Sequence, residues 1–332
     1  MKNITVRAYK TNQGTLPFYF FLIPSNDLSS ISYVIRRSED QKKGIQRIAS
    51  PERISEIASF IDDSKDVVFP NNLVINFDKE VIFRPDSDKP EEGELIIPRE
   101  KHTAQIIDGQ HRLFGLQVAK KNIPIIVVAF SGLDLIQRAK IFLTINSKQK
   151  GINTSLIYDL FGITRTGKNV ELLAVDIAKA LNVDEDSPFK AMIKLTDARK
   201  KEKESLSLAA FVTALKKMLQ NKDIPFSNLD SQQQIVVLKN YFRAIKELFQ
   251  TQWGARGHIL TKTLGFNALM KTFPKVHLRS IMKQDLLCDR VNQEIRCWKD
   301  FDFSGSVWEG ISGEAGATKV ASILEGKLSK LG

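Results

Sequence analysis

Over residues 1–150 the apolar positions alternate between short extended runs and helical spacing. Residues 1–40 predict short strands joined by turns, with Tyr19 to Ile23 the clearest of them. Ser50-Pro51-Glu52-Arg53 predicts a helix start: Ser50 suits the N-cap, Pro51 the first helical position, and Glu52 the positive end of the helix dipole. Ile54, Ile57, Ala58 and Ile61 then recur at helical spacing. Val67 to Phe69 and Leu73 to Phe77 flank Pro70-Asn71-Asn72 and predict strand, turn, strand. Asp86 to Gly93 is an acidic loop. Leu95 to Pro98 and Thr103 to Ile107 predict short strands, Gln110 to Lys121 a helix, Ile123 to Phe130 an apolar strand and Leu133 to Ser147 a long helix.

Beyond Gly151 strand-like runs almost vanish. Asn169 to Leu181, Ser207 to Asn221, Ser231 to Thr251 and Thr261 to Lys271 all carry helical periodicity. The expected class is therefore α+β: a mixed-sheet domain over residues 1–160, then a mainly helical domain over residues 161–332. No internal repeat is present, and the charged run Arg199 to Glu204 fits a solvated face.

Composition narrows the class. The 332 residues are 42% hydrophobic and 26% charged, which excludes a fibrous or disordered chain. No apolar run reaches the length of a bilayer crossing, and no signal peptide is visible. Cys288 and Cys297 make neither a disulfide framework nor a zinc site, which fits a reducing, cytoplasmic setting.

The net charge of +11 invites a polyanionic partner, and its distribution is uneven. From Gly109 to Tyr158 the one acid is Asp134, against Arg112, Lys120, Lys121, Arg138, Lys140, Lys148 and Lys150. Leu248 to Gln284 has no acid, and carries Arg256, Lys262, Lys271, Lys275, Arg279 and Lys283. Both stretches fit either solvated faces or phosphate-binding surfaces.

The most informative stretch is Ile106-Ile107-Asp108-Gly109-Gln110-His111-Arg112. A strand ends in Asp-Gly and a helix begins at once, which presents free backbone N–H groups and a positive dipole end to an anion. Gly109 permits close approach. Arg112 can fork onto two phosphate oxygens. Gln110 and His111 add donors, and Asp108 could cap the helix or touch a metal. A capped helix with a surface Arg and His is the plainer alternative.

Asp108-Gly109-Gln110-His111-Arg112 resembles the signature of the DGQHR-domain proteins, which include the DndB-like proteins of DNA phosphorothioation and the DpdB-like proteins of deazaguanine DNA modification. Gly44-Ile45-Gln46-Arg47, Arg53-Ile54, Glu56-Ile57-Ala58 and Phe69-Pro70-Asn71 resemble the family's first block. Phe142 to Gln149, with Asn153 and Leu156 to Phe161, resembles its third. The likeness covers about residues 40–165. More distantly, the blocks are similar to the ParB and sulfiredoxin nucleotide-binding fold.

That resemblance implies a pocket for ATP or another nucleoside triphosphate, formed by Gln46, Arg47, Gly109, His111, Arg112 and Asn146, to which the turn itself adds Asp108 and Gln110. It implies triphosphate hydrolysis, for which Asp108, the nearest acid in this chain, is expected to serve as the acid and as the ligand of a Mg2+ ion. Two departures qualify it. Gln110 stands where sulfiredoxins have their catalytic Cys, which excludes sulfinic acid reduction. Ile145 stands where ParB-like enzymes have an acid before the Asn.

The expected partners are DNA and DNA-modification enzymes, with no membrane; self-association stays open. DNA contact is expected from Arg256, Lys262, Lys271, Lys275 and Arg279, and a DndB-like transcriptional regulator without turnover is the alternative to a nucleotidase. The remaining candidates read as structural. His102, His258 and His277 lack ligand partners at metal spacing. Gly162 to Lys168 has the glycine and lysine spacing of a phosphate loop, but Asn169 follows where a hydroxyl is needed. Trp253, Trp298 and Trp308 fit packing better than base stacking.

Overall fold

The computed structural model describes residues 3–40, 42–65, 67–69, 71–146, 153–195, 205–282 and 288–328. Pro70, Ser147 to Ile152, the Arg199 to Glu204 run, Lys283 and Gln284 lie outside them. The architecture is α+β. The chain divides into two compact units, Met1–Ile152 and Asn153–Gly332. The division falls before the helix that begins at Thr154, eight residues ahead of the expected 160.

Unit 1 is built on an eight-stranded mixed sheet. In chain order its elements are β1 (Ile4–Gln13), β2 (Leu16–Pro24), α1 (Ser25–Ile31), β3 (Ser32–Tyr33), α2 (Pro51–Asp63), β4 (Leu73–Phe77), β5 (Ile82–Pro85), β6 (Glu92–Ile97), β7 (Ala104–Asp108), α3 (Gln110–Val118), β8 (Pro124–Ser131) and α4 (Leu135–Asn146). The strand order is β3-β7-β4-β8-β2-β1-β6-β5. β1 and β2 form a hairpin through Gly14, at φ +60°.

Period-2 alternation sends Tyr19, Phe21 and Ile23 of β2, and Ile125, Val127 and Ala129 of β8, into one core with Leu73, Ile75 and Phe77 of β4. Leu28 and Ile31 of α1, Ile61 of α2, and Leu113 and Leu116 of α3 cover that face. The opposite face holds α4. Leu133 donates its N–H to Asn76 Oδ1 at 2.9 Å, and Arg138 donates to Gln105 Oε1, so the start of α4 is pinned to β4 and β7. All five residues of β4 are buried because both its faces are covered.

Three expectations change in unit 1. Val67 to Phe69 forms no strand. Val68 is 68% exposed, while Phe69 packs edge-on against Phe60 of α2 at 5.7 Å. Residues 25–31 are a helix rather than a turn, with Leu28 and Ile31 fully buried. β1 is a ten-residue strand that pairs with both β2 and β6.

Unit 2 comprises α5 (Thr154–Thr164), α6 (Asn169–Val183), β9 (Ile193–Lys194), β10 (Leu206–Ser207), α7 (Leu208–Gln220), α8 (Ser231–Leu248), α9 (Thr263–Met282), α10 (Cys288–Ile295) and α11 (Gly313–Leu328). Caps come where the sequence offers them: Asn153, Ser207 and Asp230 each accept a backbone N–H of the first turn. Phe189, Phe211, Phe242 and Phe266 stack at centroid distances of 4.7 to 5.9 Å in the centre.

The phosphate-loop spacing of Gly162 to Lys168 falls on the end of α5 and its αL cap at Arg165, with no strand before it. The three tryptophans are packing residues. Trp298 donates to Leu324 O and Trp308 to Asp302 O, and Trp253 packs on the core beside Phe189. No described helix is long and apolar enough to cross a membrane.

Candidate nucleotide site

The site starts from a break in the β4–β7 ladder. Asp108 pairs with Val74 and Ile106 with Ile75, so Ile107 is an extra residue, a β-bulge just before the strand ends. Bulges redirect the residues that follow them. Gln46, 2% exposed, stabilises this one: its side-chain Nε2 donates to the carbonyls of Ile106 and Ile107. Gln46 is itself held through its backbone, since Arg37 N–H donates to its carbonyl at 2.8 Å.

Gly109 follows at φ +99°, a conformation that suits glycine. A Cβ there would lie 3.1 Å from Leu73 Cγ and 3.2 Å from an Arg112 guanidinium nitrogen. α3 begins at once. Its first intrahelical bond from the capping residue runs from Leu113 N–H to Gly109 O at 2.9 Å, and glycine supplies no side chain to cap the N–H groups before it. The first-turn donors are thus left for a ligand or water.

Arg112 is fixed on two sides. It donates to Asn72 O at 2.7 Å and to Asp108 Oδ2 at 2.8 Å. Burial pulls its pKa below the usual arginine value, against the opposing pull of Asp108. His111 Nε2 accepts the backbone N–H of Ser50, the cap of α2, at 3.0 Å. Burial, then Arg47, then Arg53 push the imidazole pKa down, with Asp108 opposing. A neutral ring accepting at Nε2 carries its proton on Nδ1.

Gln110 is 5% exposed, and its Oε1 is buried without a hydrogen-bond partner among the described residues. Asn146, at the end of α4 and 8% exposed, donates to Phe142 O at 2.9 Å.

All eight residues of the sequence-derived set meet here. Gln46, Arg47, Asp108, Gly109, Gln110, His111, Arg112 and Asn146 line one cavity of about 270 Å3, together with Arg53, Asn71 and Phe142. Three arginines face one carboxylate. Arg53 belongs to the first motif block, which by itself gives it no place in the site; its position in the first turn of α2, beside the Ser50 cap, is the signal that could have done so.

A second cavity of about 520 Å3 adjoins it and shares Asn71, Asp108 and Arg112. The sequence pattern does not point to this one, because Phe18 of β2 lies more than a hundred residues before Val128 of β8 and Ile141 of α4. Among the described residues no cluster of three or more His, Cys, Asp or Glu could hold a metal. Any Mg2+ would have Asp108 as its carboxylate, accompanied by ligand phosphates.

The expected DNA-contacting residues divide. Lys271 and Lys275 of α9 are salt-bridged to Glu314 and Glu325 of α11, and Arg279 to Glu294 of α10 at 2.9 Å. Arg256 and Lys262 are exposed and have no carboxylate partner among the described residues. The acid-free stretch of sequence is therefore neutralised on α9 by acids that follow it in the chain. Cys288 and Cys297 are half-buried thiols whose pKa burial pushes up, to about 11 for Cys288.

No curated protein and no solved structure matches the chain. One family model does, that of DndB, described as DNA-sulfur modification-associated, over residues 6–278. The match spans the cavity-bearing sheet but for the first two residues of β1, the DGQHR turn and the helices of unit 2 through most of α9, and by it the chain belongs to the DndB family of DNA-sulfur modification-associated proteins.

Proposed function

We propose that the protein is the nucleotide-binding component of a DNA phosphorothioation system, with ATP or another nucleoside triphosphate held in unit 1 in the manner of ParB and sulfiredoxin-like domains. One observation carries this reading: residues spread from Gln46 to Asn146 converge on a single cavity with three arginines, one carboxylate and the uncapped start of α3. That is the donor set of a polyphosphate site. The glycine at Gly109, which leaves the start of α3 without a capping side chain, suits it too.

Turnover would place Mg2+ on Asp108, which now bonds Arg112. The ion would neutralise phosphate charge. The protein's own part is to position the chain of phosphates between Arg47, Arg53 and Arg112. Titration of the purified protein with ATP, CTP and GTP, alongside an Arg112→Ala variant, tests binding. Absence of binding by all three retires the reading. Phosphate release compared with Asp108→Ala tests turnover.

A second role, DNA contact by unit 2, is supported by Arg256 and Lys262, whose charges are exposed and have no carboxylate partner among the described residues. Binding of duplex DNA that ignores salt concentration would count against it. Modification enzymes are the remaining partners this context suggests.

A further inference from the structure

The cavity of about 520 Å3 beside the polar one has a different chemistry. Phe18 of β2, Val128 and Phe130 of β8, and Ile141 and Ile145 of α4 form its walls. Phe18 and Phe130 are cross-strand partners with ring centroids 5.6 Å apart. These are outward positions of the sheet, where a solvated face would carry polar residues. Here α4 roofs them without filling the space beneath.

The side-chain amides of Asn71 and Asn72 have no hydrogen-bond partner among the described residues, and Thr144 donates to Lys140 O while keeping its lone pairs. The wall shared with the polar cavity is Asn71, Asp108 and Arg112. A single ligand filling both spaces therefore has an anionic end against the arginines and a mostly apolar end with a few polar groups.

We propose that this second cavity is the subsite for the ring and sugar of a nucleotide whose phosphates occupy the polar cavity. Phe18, Phe130 and Ile141 bracket the ring, and Asn72 reads its edge. The inference rests on the polyphosphate reading of the first cavity and adds to it the class of group attached to the phosphates. It also explains why the walls differ: contact with an aromatic face is tolerant of ring identity, whereas an uncommitted amide, with one donor and one acceptor end, discriminates between ring edges.

The test separates the two subsites. The full chain is titrated with inorganic tripolyphosphate and with ATP, CTP and GTP, as wild type and as Ile141→Trp, which puts a bulky ring into the cavity. Phe18→Ala serves as a second variant, and thermal melting checks that each is folded. Removing base stacking weakens binding by about tenfold or more. The expected result is that at least one nucleotide binds wild type at least about tenfold tighter than tripolyphosphate, and that both variants lose this advantage while tripolyphosphate affinity stays within about twofold. Variants that keep the full advantage, or a wild type that shows none, overturn the subsite and leave the anion site standing. Failure of tripolyphosphate and all nucleotides to bind overturns both.

Discussion

Ser50 and His111 are joined by a hydrogen bond from the Ser50 backbone N–H to Nε2 of the imidazole, 3.0 Å long. The residue that caps α2 thereby sets the tautomer of a residue in the first turn of α3. Two helix starts are tied together beside the polar cavity, and the proton left on Nδ1 is the only N–H the neutral ring can offer.

Burial of the ring, with Arg47 and Arg53 nearby, gives the site a pH dependence. The folded pKa of His111 lies below its ordinary value of 6.5. Above that value neither folded nor unfolded chain protonates the ring, so stability is flat. Below it the unfolded chain takes the proton first, and stability falls with pH until the folded pKa is reached. A bound polyphosphate favours the imidazolium and opposes that fall. Thermal melts at pH 7.5 and 5.5 should show a larger nucleotide-induced shift at the lower pH. His111→Gln should give equal shifts, and equal shifts in the wild type would refute the assignment.

Gly109→Ala tests the turn. The left-handed conformation costs an alanine about 1–2 kcal/mol, and its Cβ would press on Leu73 and the Arg112 guanidinium. The expected outcome is a stability loss of about that size in urea unfolding, together with weakened nucleotide binding as Arg112 shifts. Unchanged binding would show that Arg112 placement does not matter to the ligand.

The motif assigns Gln46 to the ligand, yet its amide Nε2 is engaged by the Ile106 and Ile107 carbonyls. Gln46→Ala would strand two buried acceptors at about 1–3 kcal/mol each. Urea unfolding should report that loss, and nucleotide affinity should fall through distortion of the bulge. A variant of wild-type stability with reduced affinity would instead place the amide on the ligand.

How far the sequence alone reaches follows from how local each signal is. Ser50-Pro51 is a complete helix start in two residues, and α2 begins there with the Ser50 hydroxyl accepting from Arg53 N–H. The DGQHR turn is equally local, so the cavity residues are legible from it and the blocks around it. Helix α1 is not: Ser25-Asn26-Asp27 is turn chemistry, overridden by burial of Leu28 and Ile31. α9 runs on past Lys271 to Met282 because the core accepts Pro274 inside it, although proline normally ends a helix. α11 is hidden by its glycines, while Ala317, Val320, Ala321, Leu324 and Leu328 bury a helical stripe. The apolar subsite depends on strands far apart in the chain meeting one helix, which no local pattern encodes.

His277 supplies a second acid sensitivity, in unit 2. It is buried, stacked on Phe273 at 5.2 Å, and its Nε2 has no partner among the described residues. Burial pushes its pKa down to about 4. The sign is the same as for His111: stability is lost as pH falls from 6.5 toward 4, by up to about 3 kcal/mol. His277→Phe should shrink the difference in urea midpoint between pH 7 and pH 5, without altering any nucleotide-induced shift. An unchanged difference would mean that the ring is hydrated or already protonated.

The basic residues of unit 2 make the last prediction, since the salt bridges rank them. Glu314 bonds both Lys217 and Lys271, which hold its carboxyl well below the usual range, at about 2. Lys275 is similarly occupied by Glu325. A lysine already neutralised has little counterion to release on meeting a phosphate, whereas Arg256 and Lys262 have no carboxylate partner among the described residues. If unit 2 contacts DNA, replacing Arg256 and Lys262 together by alanine should reduce the slope of log affinity against log salt by about 2, at about 0.9 per phosphate contact. Replacing Lys271 and Lys275 should leave the slope nearly unchanged and cost little stability, as exposed pairs contribute only about 0–1 kcal/mol. The reverse ranking would mean that DNA displaces α11's carboxylates from α9, making the acids of α11 competitors for the same lysines.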